Sequence, residues 1–588
     1  MEPGTARQKS RLSIVPEEEK MSKHVIEYTA QAPVKGVRLT GGRFARAFEN
    51  NIRFLKGFDV DRMLYYYRLH KGKAAPGVPY AYQSGHFEVN LKGQTAGEFL
   101  MGACTTLMWQ EDARLRRMAE EVVAGIDECK GEGGMLLPIT DEEWHTKEYP
   151  NYTRAWVTFG LIDAGNAGIE RAFPLARGMG DYFNHCDLLP YVKDMNLGFQ
   201  GILAQTRLYD SPVGVQEDVD VARSAYEEDW WLDQVIAKDH KAIYMHPGNH
   251  PHSTLLTTLE GYFDLYRATG REKYLTAVRT ALGMYEDKWQ HVGGGINMCE
   301  FDTYWPGCNH LSMTHSYNEL CSTNFWVLLN QRMQLLEPDN SHWADEMEES
   351  LYNVLLAAQV GDVGYHYLNF LEGGKDARYL DRCTCCASLG TRLVGLLPQF
   401  LYTYTKDTVY VNLYAESQAA LPLEKGAVRL TTHTHMPDDG RVTIRVDECA
   451  APFTMKLRMP RWIAAPVEIQ VNGQAVGTFG AGFAEITVRA GDEVTFELPM
   501  TFRATKYSGS EELVGKERWA IEYGPLLYAA MGPSIVTVAF DPEKPGEWFT
   551  PLPGEKRRLA LKGDDHHEYW AYLDIHDEPF SVYPIVER

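Results

Sequence analysis

The sequence predicts a multidomain α+β protein: an (α/α)6 helical barrel followed by antiparallel β-sandwich domains. Three observations predict it. The 588 residues exceed what one hydrophobic core fills, so two or three domains are expected. Up to about residue 402, apolar residues recur three or four apart, the amphipathic helix signature. From about residue 403 they alternate one by one, the strand signature.

Residues 1–35 are assigned as an N-terminal tail, of which Met1 to Lys23 is polar, mixed in charge and expected to be disordered. It has no apolar segment followed by a small-residue cleavage site, so no secretory signal is expected. The barrel is assigned to residues 36–402. Leu255, Leu256, Leu259, Tyr262, Phe263, Leu265 and Tyr266 mark one helix. Gly270 caps it, and Leu275, Val278, Leu282 and Tyr285 mark the returning helix. Similar hairpins run from Ala96 to Ile126, from Tyr152 to Phe183 and from Gln200 to Val235. Units of about fifty residues, two helices each, predict a toroidal array. A closed barrel is preferred over an open solenoid because the candidate site residues come from several hairpins and must converge.

The β-sandwich is assigned to residues 403–505. Val409, Val411 and Leu413 alternate with polar or aromatic neighbours, and Val467–Val471 runs into an Asn472-Gly473 hairpin turn. Residues 506–588 are expected to form a smaller β element that packs back on the barrel.

Net charge is −22 without a basic stripe, which argues against a nucleic-acid partner. No apolar run approaches eighteen residues, so no membrane-spanning helix is expected. Cys104, Cys129, Cys186, Cys299, Cys308 and Cys449 are scattered without a disulfide spacing, which fits a cytoplasmic location. Aromatic residues make up 12% of the chain, which suits sugar-lined clefts and barrel packing alike.

Chemistry concentrates in two stretches, Glu319-Leu-Cys321 and Cys383-Thr-Cys385-Cys386. Zinc takes Cys, His and carboxylate ligands in fours, and these stretches offer five candidates. Paired Cys-x-x-Cys knuckles are absent, so a finger or ribbon is excluded. The plainer alternatives are a closed structural zinc site or reduced buried cysteines. A metal beside a sugar-sized cavity permits more, because it keeps a thiol deprotonated and able to attack an electrophilic carbon.

These two stretches, with the strand-rich tail, resemble glycoside hydrolase family 127, the β-L-arabinofuranosidases. Leu91–Leu100, Leu265–Gly270, Leu457–Trp462, Val471–Gly473 and Ile521–Pro525 share in the resemblance. It implies a retaining exo-acting glycoside hydrolase with a zinc-bound cysteine nucleophile. By motif position the nucleophile is Cys385, the zinc ligands are Glu319, Cys321, Cys385 and Cys386, and Cys383 is a spare neighbouring thiol. The acid/base is Glu300, after the Gly293–Gly295 turn. The stretch from Glu300 to Glu319 is longer than the family pattern, and Asp302 is the alternative. The implied partner is a glycoside or oligosaccharide, and relatives that pair through their β-domains leave a homodimer open.

The substrate pocket departs from the family. Gln94 and Glu98 stand where a His is common, Gln200 lies beside Gly198 at another, and Arg154 stands near a third. His252 and Tyr367 match retained positions. An Arg pairs bidentately with carboxylates, so Arg154 raises the expectation of a carboxylated or otherwise unusual sugar. His246, His250 and His252 read as a polar loop at the barrel mouth rather than a second metal site. Asp564–His567 reads as a solvated loop, and Trp230-Trp231 as core packing rather than a sugar platform. Two other functions compete: a non-catalytic carbohydrate-binding protein with a structural zinc, and an epimerase or lyase on the same toroid.

Overall fold

The computed structural model describes residues 23–33, 35–80, 91–145, 149–194, 200–244, 252–296, 313, 318–375, 384–509, 511–533, 535–554 and 557–587. Twelve of the helices among these residues build the barrel. They are α1 (Gly42–Leu55), α2 (Gln94–Leu107), α3 (Ala113–Glu128), α4 (Arg154–Asn166), α5 (Ala172–Asn184) and α6 (Gln200–Asp210). Then follow α7 (Gln216–Tyr226), α8 (His252–Thr269), α9 (Glu272–Lys288), α10 (Leu320–Leu336), α11 (His342–Ser350) and α12 (Cys385–Gly395). The even-numbered helices pack each on the next, and α12 packs on α2, so six inner helices close a ring. The odd-numbered helices form the outer layer.

Burial explains the division. In α4 every residue from Arg154 to Gly165 is buried, as suits a helix walled on all sides. Outer α3 buries only Leu115, Met118, Ala119, Val122, Val123 and Ile126, a single stripe at helical spacing. Glycines set a close crossing between α2 and α4. A Cβ on Gly97 of α2 would lie 2.6 Å from the Trp156 carbonyl oxygen of α4, and one on Gly160 would lie 2.4 Å from that of Gly97. Only glycines let these backbones approach so closely.

The hairpins sit where the apolar period predicts them. Gly270 takes φ +71°, and its N–H donates to Tyr266 O at 2.7 Å, ending α8. The described part of the N-terminal tail is tied to the barrel. Lys23 to Pro33 runs across the barrel, with Lys23 Nζ donating to Ser211 O at 2.8 Å and Ile26 N to Arg267 O at 2.9 Å. Val37–Leu39 then pairs with Ser417–Leu423 as an edge strand of the sandwich.

The sandwich stacks a seven-stranded sheet on a four-stranded one. Tyr402 Oη joins them, within 2.9 Å of Ser417 Oγ and 2.8 Å of Thr432 Oγ1. Asn472 and Gly473 have φ +52° and +76°, the paired positive values of a type I′ hairpin. One pairing is not antiparallel: Phe453–Met459 runs parallel to Thr408–Val411. Parallel neighbours need a long crossover, supplied here by strands of the other sheet.

A third, nine-stranded sheet follows, and Phe502–Lys506 already belongs to it. It packs on the barrel: Asn353 Nδ2 donates to Pro525 O at 3.0 Å, and Asn353 Oδ1 accepts Leu527 N–H at 2.9 Å. Among the described residues no helix is long and apolar enough to cross a membrane.

Candidate metal centre and active site

The predicted site residues share one feature of placement. Gln94, Arg154, Gln200, His252 and Cys385 each open an inner helix, and Cys321 is the second residue of the sixth. Several of these helix starts are in contact. Ser388 Oγ of α12 donates to Glu98 O of α2 at 3.1 Å, and Gln94 Nε2 lies 3.5 Å from Tyr152 Oη, just before α4. The barrel therefore gathers helix N-termini, whose N–H groups and dipoles favour negative charge.

Two of these starts build the centre. Asn318–Glu319 is a two-residue strand paired with Leu368–Asn369, and it leads directly into α10 with Cys321 in its first turn. Thr384 caps α12, its Oγ1 accepting Ala387 N–H at 3.1 Å, which presents Cys385 and Cys386 in the first turn. Ligand atoms of Glu319, Cys321, Cys385 and Cys386 all lie within 4.8 Å of one another. Cys321 Sγ is 3.1 Å from Cys386 Sγ, and Cys386 Sγ is 3.5 Å from Glu319 Oε1. Ser322 Oγ donates to Glu319 Oε2 at 3.1 Å and so orients the carboxylate. Cys385 Sγ lies 3.5 Å from Tyr367 Oη.

All four groups are buried. Burial, and then contact with neighbouring thiols, pushes Cys321 well above the usual thiol range. Burial likewise pushes Cys386 up, with the Glu319 charge adding to it. Four acidic groups aimed at one another suit a soft divalent cation, which would invert this preference and hold the thiolates ionised. Three sulfurs and one carboxylate make a donor set of the size and softness that zinc accepts.

Other expectations fare differently. Arg154 is fully buried. Its guanidinium is enclosed, with Nε donating to Pro150 O at 2.6 Å and Nη1 to Gln205 Oε1 at 2.9 Å. It lies 3.6 Å over the Phe183 ring, so the side chain packs between helices instead of opening on a cavity. Gln94 and Glu98 are both buried and bond to each other, Nε2 to Oε1 at 2.7 Å. Trp231 is core, donating to Ala242 O at 2.6 Å, whereas Trp230 is 45% exposed. Asp564 accepts the His566 and His567 amides in a turn. Glu300, Asp302, Cys383, Gly198, His246 and His250 lie outside the described residues, as do the side chains of Gln200 and His252. Thr384 and Ser322 were not singled out from the sequence. A Thr immediately before a helical Cys pair is an N-cap signal that marks the former.

Fold and site together define an (α/α)6-barrel protein with a buried thiolate–carboxylate centre, followed by a β-sandwich. Residues 36–399 match the family model of the beta-L-arabinofuranosidase GH127 catalytic domain, and residues 408–500 that of the GH127 middle domain. The chain belongs to glycoside hydrolase family 127 and is a glycoside hydrolase. Solved structures share its fold. A GH127 beta-arabinofuranosidase is 18% identical with a TM-score of 0.75, over 96% of this chain and 99% of that one. A GH127 beta-L-arabinofuranosidase from Geobacillus stearothermophilus T6 is 17% identical with a TM-score of 0.75, over 94% and 100%. No curated protein sequence matches the chain.

Proposed function

We propose that this chain is a retaining, exo-acting glycosidase for β-L-arabinofuranoside-like linkages, with Cys385 as nucleophile. The observation that carries the reading is the place of Cys385: one of three clustered thiols, at a helix N-terminus, and the most exposed of them at 6% against 3% for Cys321 and 0% for Cys386. A thiolate at a helix start is favoured by the dipole.

Glu319, Cys321, Cys385 and Cys386 would hold a zinc ion, which keeps the cysteine sulfur anionic and makes it a better leaving group. Cys385 Sγ attacks the anomeric carbon while the bond to the leaving oxygen breaks. Glu300, or Asp302 in its place, gives that oxygen a proton. In the second step the same carboxylate takes a proton from water, the water oxygen attacks the anomeric carbon, and the carbon–sulfur bond breaks. Two inversions give net retention. Tyr367 Oη, beside Cys385 Sγ, orients the sulfur. With Arg154 enclosed, a neutral glycone is favoured over an acidic one.

Cys385→Ser is expected to lower turnover of an aryl β-L-arabinofuranoside by at least about 1,000-fold. Product trapping with methanol in the parent enzyme should give the retained anomer. Full activity in Cys385→Ser, or an inverted product, would overturn the mechanism.

A further inference from the structure

We infer that the C-terminal sheet is a working part of the site: through Glu372 and Arg518 it holds the Tyr367–Lys375 segment in place and thereby sets Tyr367 against Cys385. The inference rests on the reading of Cys385 and Tyr367 as groups at the reacting centre. Glu372 and Arg518 are positioning residues in it.

The segment has little structure of its own. Its regular part is the two-residue strand Leu368–Asn369, paired with Asn318–Glu319. Such a short ladder does not hold itself in water. Asn369 Nδ2 reinforces it by donating to Asn318 O at 3.2 Å. Lys375 Nζ ties the far end of the segment to the barrel at Ala357 O, 2.8 Å away, and most of its other anchors lie about two hundred residues further along the chain.

From Phe370 onward the segment is stitched to the third sheet. Tyr572 Oη donates to Phe370 O at 2.7 Å, Val582 N to Leu371 O at 2.8 Å, and Gly373 N to Phe580 O at 2.8 Å. Arg518 Nη2 pairs with Glu372 Oε2, and both side chains are nearly enclosed, at 5% and 6% exposure. Arg518 Nε also donates to Tyr583 O at 2.8 Å, and Glu372 Oε1 accepts Ile535 N–H at 3.1 Å. Lys375 Nζ closes the segment by donating to Tyr572 O at 2.9 Å and Ile575 O at 2.6 Å. A second strap reaches the same region: Glu511 accepts Met313 N–H at 3.1 Å, and Met313 O accepts Leu371 N–H at 3.1 Å.

Glu372 and Arg518 form a nearly enclosed ion pair in this seam, and removing one partner leaves the other charge buried and uncompensated. The segment would relax, and Tyr367 would move relative to Cys385. Misplacement of a reacting group by about 1 Å costs on the order of 100-fold in rate.

The test uses the full chain loaded with zinc. Arg518→Ala should lower kcat on an aryl β-L-arabinofuranoside by ~10–100-fold with KM held within about twofold and metal content unchanged. Arg518→Lys should recover most of that loss. In a Tyr367→Phe background, Arg518→Ala should cost less than about twofold more, because both changes remove the same contribution. The rate at which iodoacetamide alkylates Cys385, resolved by mass spectrometry, reads the same geometry without turnover. Arg518→Ala and Tyr367→Phe should shift it by the same factor. Equal losses from Arg518→Ala in both backgrounds, or an unchanged kcat and alkylation rate, would overturn the inference. If alkylation shifts as expected but Cys385→Ser keeps its turnover, the glycosidase mechanism falls and the positioning stands. If Cys385→Ser is inactive and Arg518→Ala is indistinguishable from the parent, only the positioning falls.

Discussion

Two buried polar clusters share the inner ring of the barrel, and they are built on opposite principles. At the starts of α10 and α12, three thiols and a carboxylate turn their donor atoms towards one another. Further along the same helices, carboxylates face guanidiniums. Arg332 Nη1 lies 2.6 Å from Glu260 Oε2, and its Nε lies 2.9 Å from Asp264 Oδ1. Arg207 Nη2 lies 2.7 Å from Asp163 Oδ1, with Arg392 Nε 3.6 Å from Asp163 Oδ2. The second cluster is balanced by the chain itself and ties α4, α6, α8, α10 and α12 together. The first gathers acid on acid, which a structural layer has no reason to do. The same barrel thus shows how it handles buried charge for stability, and the thiol cluster departs from that pattern in the direction a bound cation requires.

The contrast can be broken most strongly at Arg332. Arg332→Met leaves Glu260 and Asp264 buried without their cation and should cost about 3–5 kcal/mol in urea unfolding. Burial already pushes Glu260 up to about 7 with Arg332 present. A raised carboxyl pKa means stability is lost as pH rises through the window from the unfolded value to the folded one. Without Arg332 that window widens upward, so the penalty should be larger at pH 8 than at pH 5. Metal content per folded chain should not change. A variant that loses metal in proportion would show that the two clusters are not separable.

Arg154→Ala sharpens the same division from the side of the substrate. The loss of its packing on Phe183 and its bonds to Pro150 and Gln205 should cost about 2–4 kcal/mol. The ratio of activity on neutral to acidic glycosides should stay the same in the folded fraction. A changed ratio would return Arg154 to the pocket.

A smaller effect is expected in the outer layer. His342 Nε2 lies 2.9 Å from Glu286 Oε1, joining α9 to α11, and this hydrogen bond raises the imidazole above its ordinary value. The contribution is present below the unfolded pKa and is lost as pH rises through the folded one. Both groups are about a third exposed, so solvent screening leaves only a few tenths of a kcal/mol. Unfolding midpoints between pH 5.5 and 8.5 should show it, and His342→Gln should flatten that dependence. An identical slope in the variant would remove the pair from the account.

Much of this architecture was legible in the sequence. The apolar period placed the helix hairpins, Gly270 their cap and Asn472-Gly473 the sandwich turn, because each of these is a local signal. The convergence of Glu319 and Cys321 with Cys385 and Cys386 followed from residue types that rarely cluster for packing alone. The enclosed setting of Arg154 was not legible because residue type carries charge but not direction: the same guanidinium can clamp a ligand or brace a helix. The ordered path of Lys23–Pro33 and the stitching of Phe370–Lys375 to the third sheet were not legible, since both depend on backbone partners far away in the chain.

If the thiol–carboxylate cluster holds a metal ion, the purified protein carries that ion in stoichiometric amount. Plasma mass spectrometry of the purified full chain should find about one zinc ion per chain. Glu319→Ala and Cys386→Ala should each fall to roughly a tenth of that or less, with the helical circular-dichroism signal retained. A parent protein without stoichiometric metal, or variants that keep it, would show that the cluster is not a metal centre.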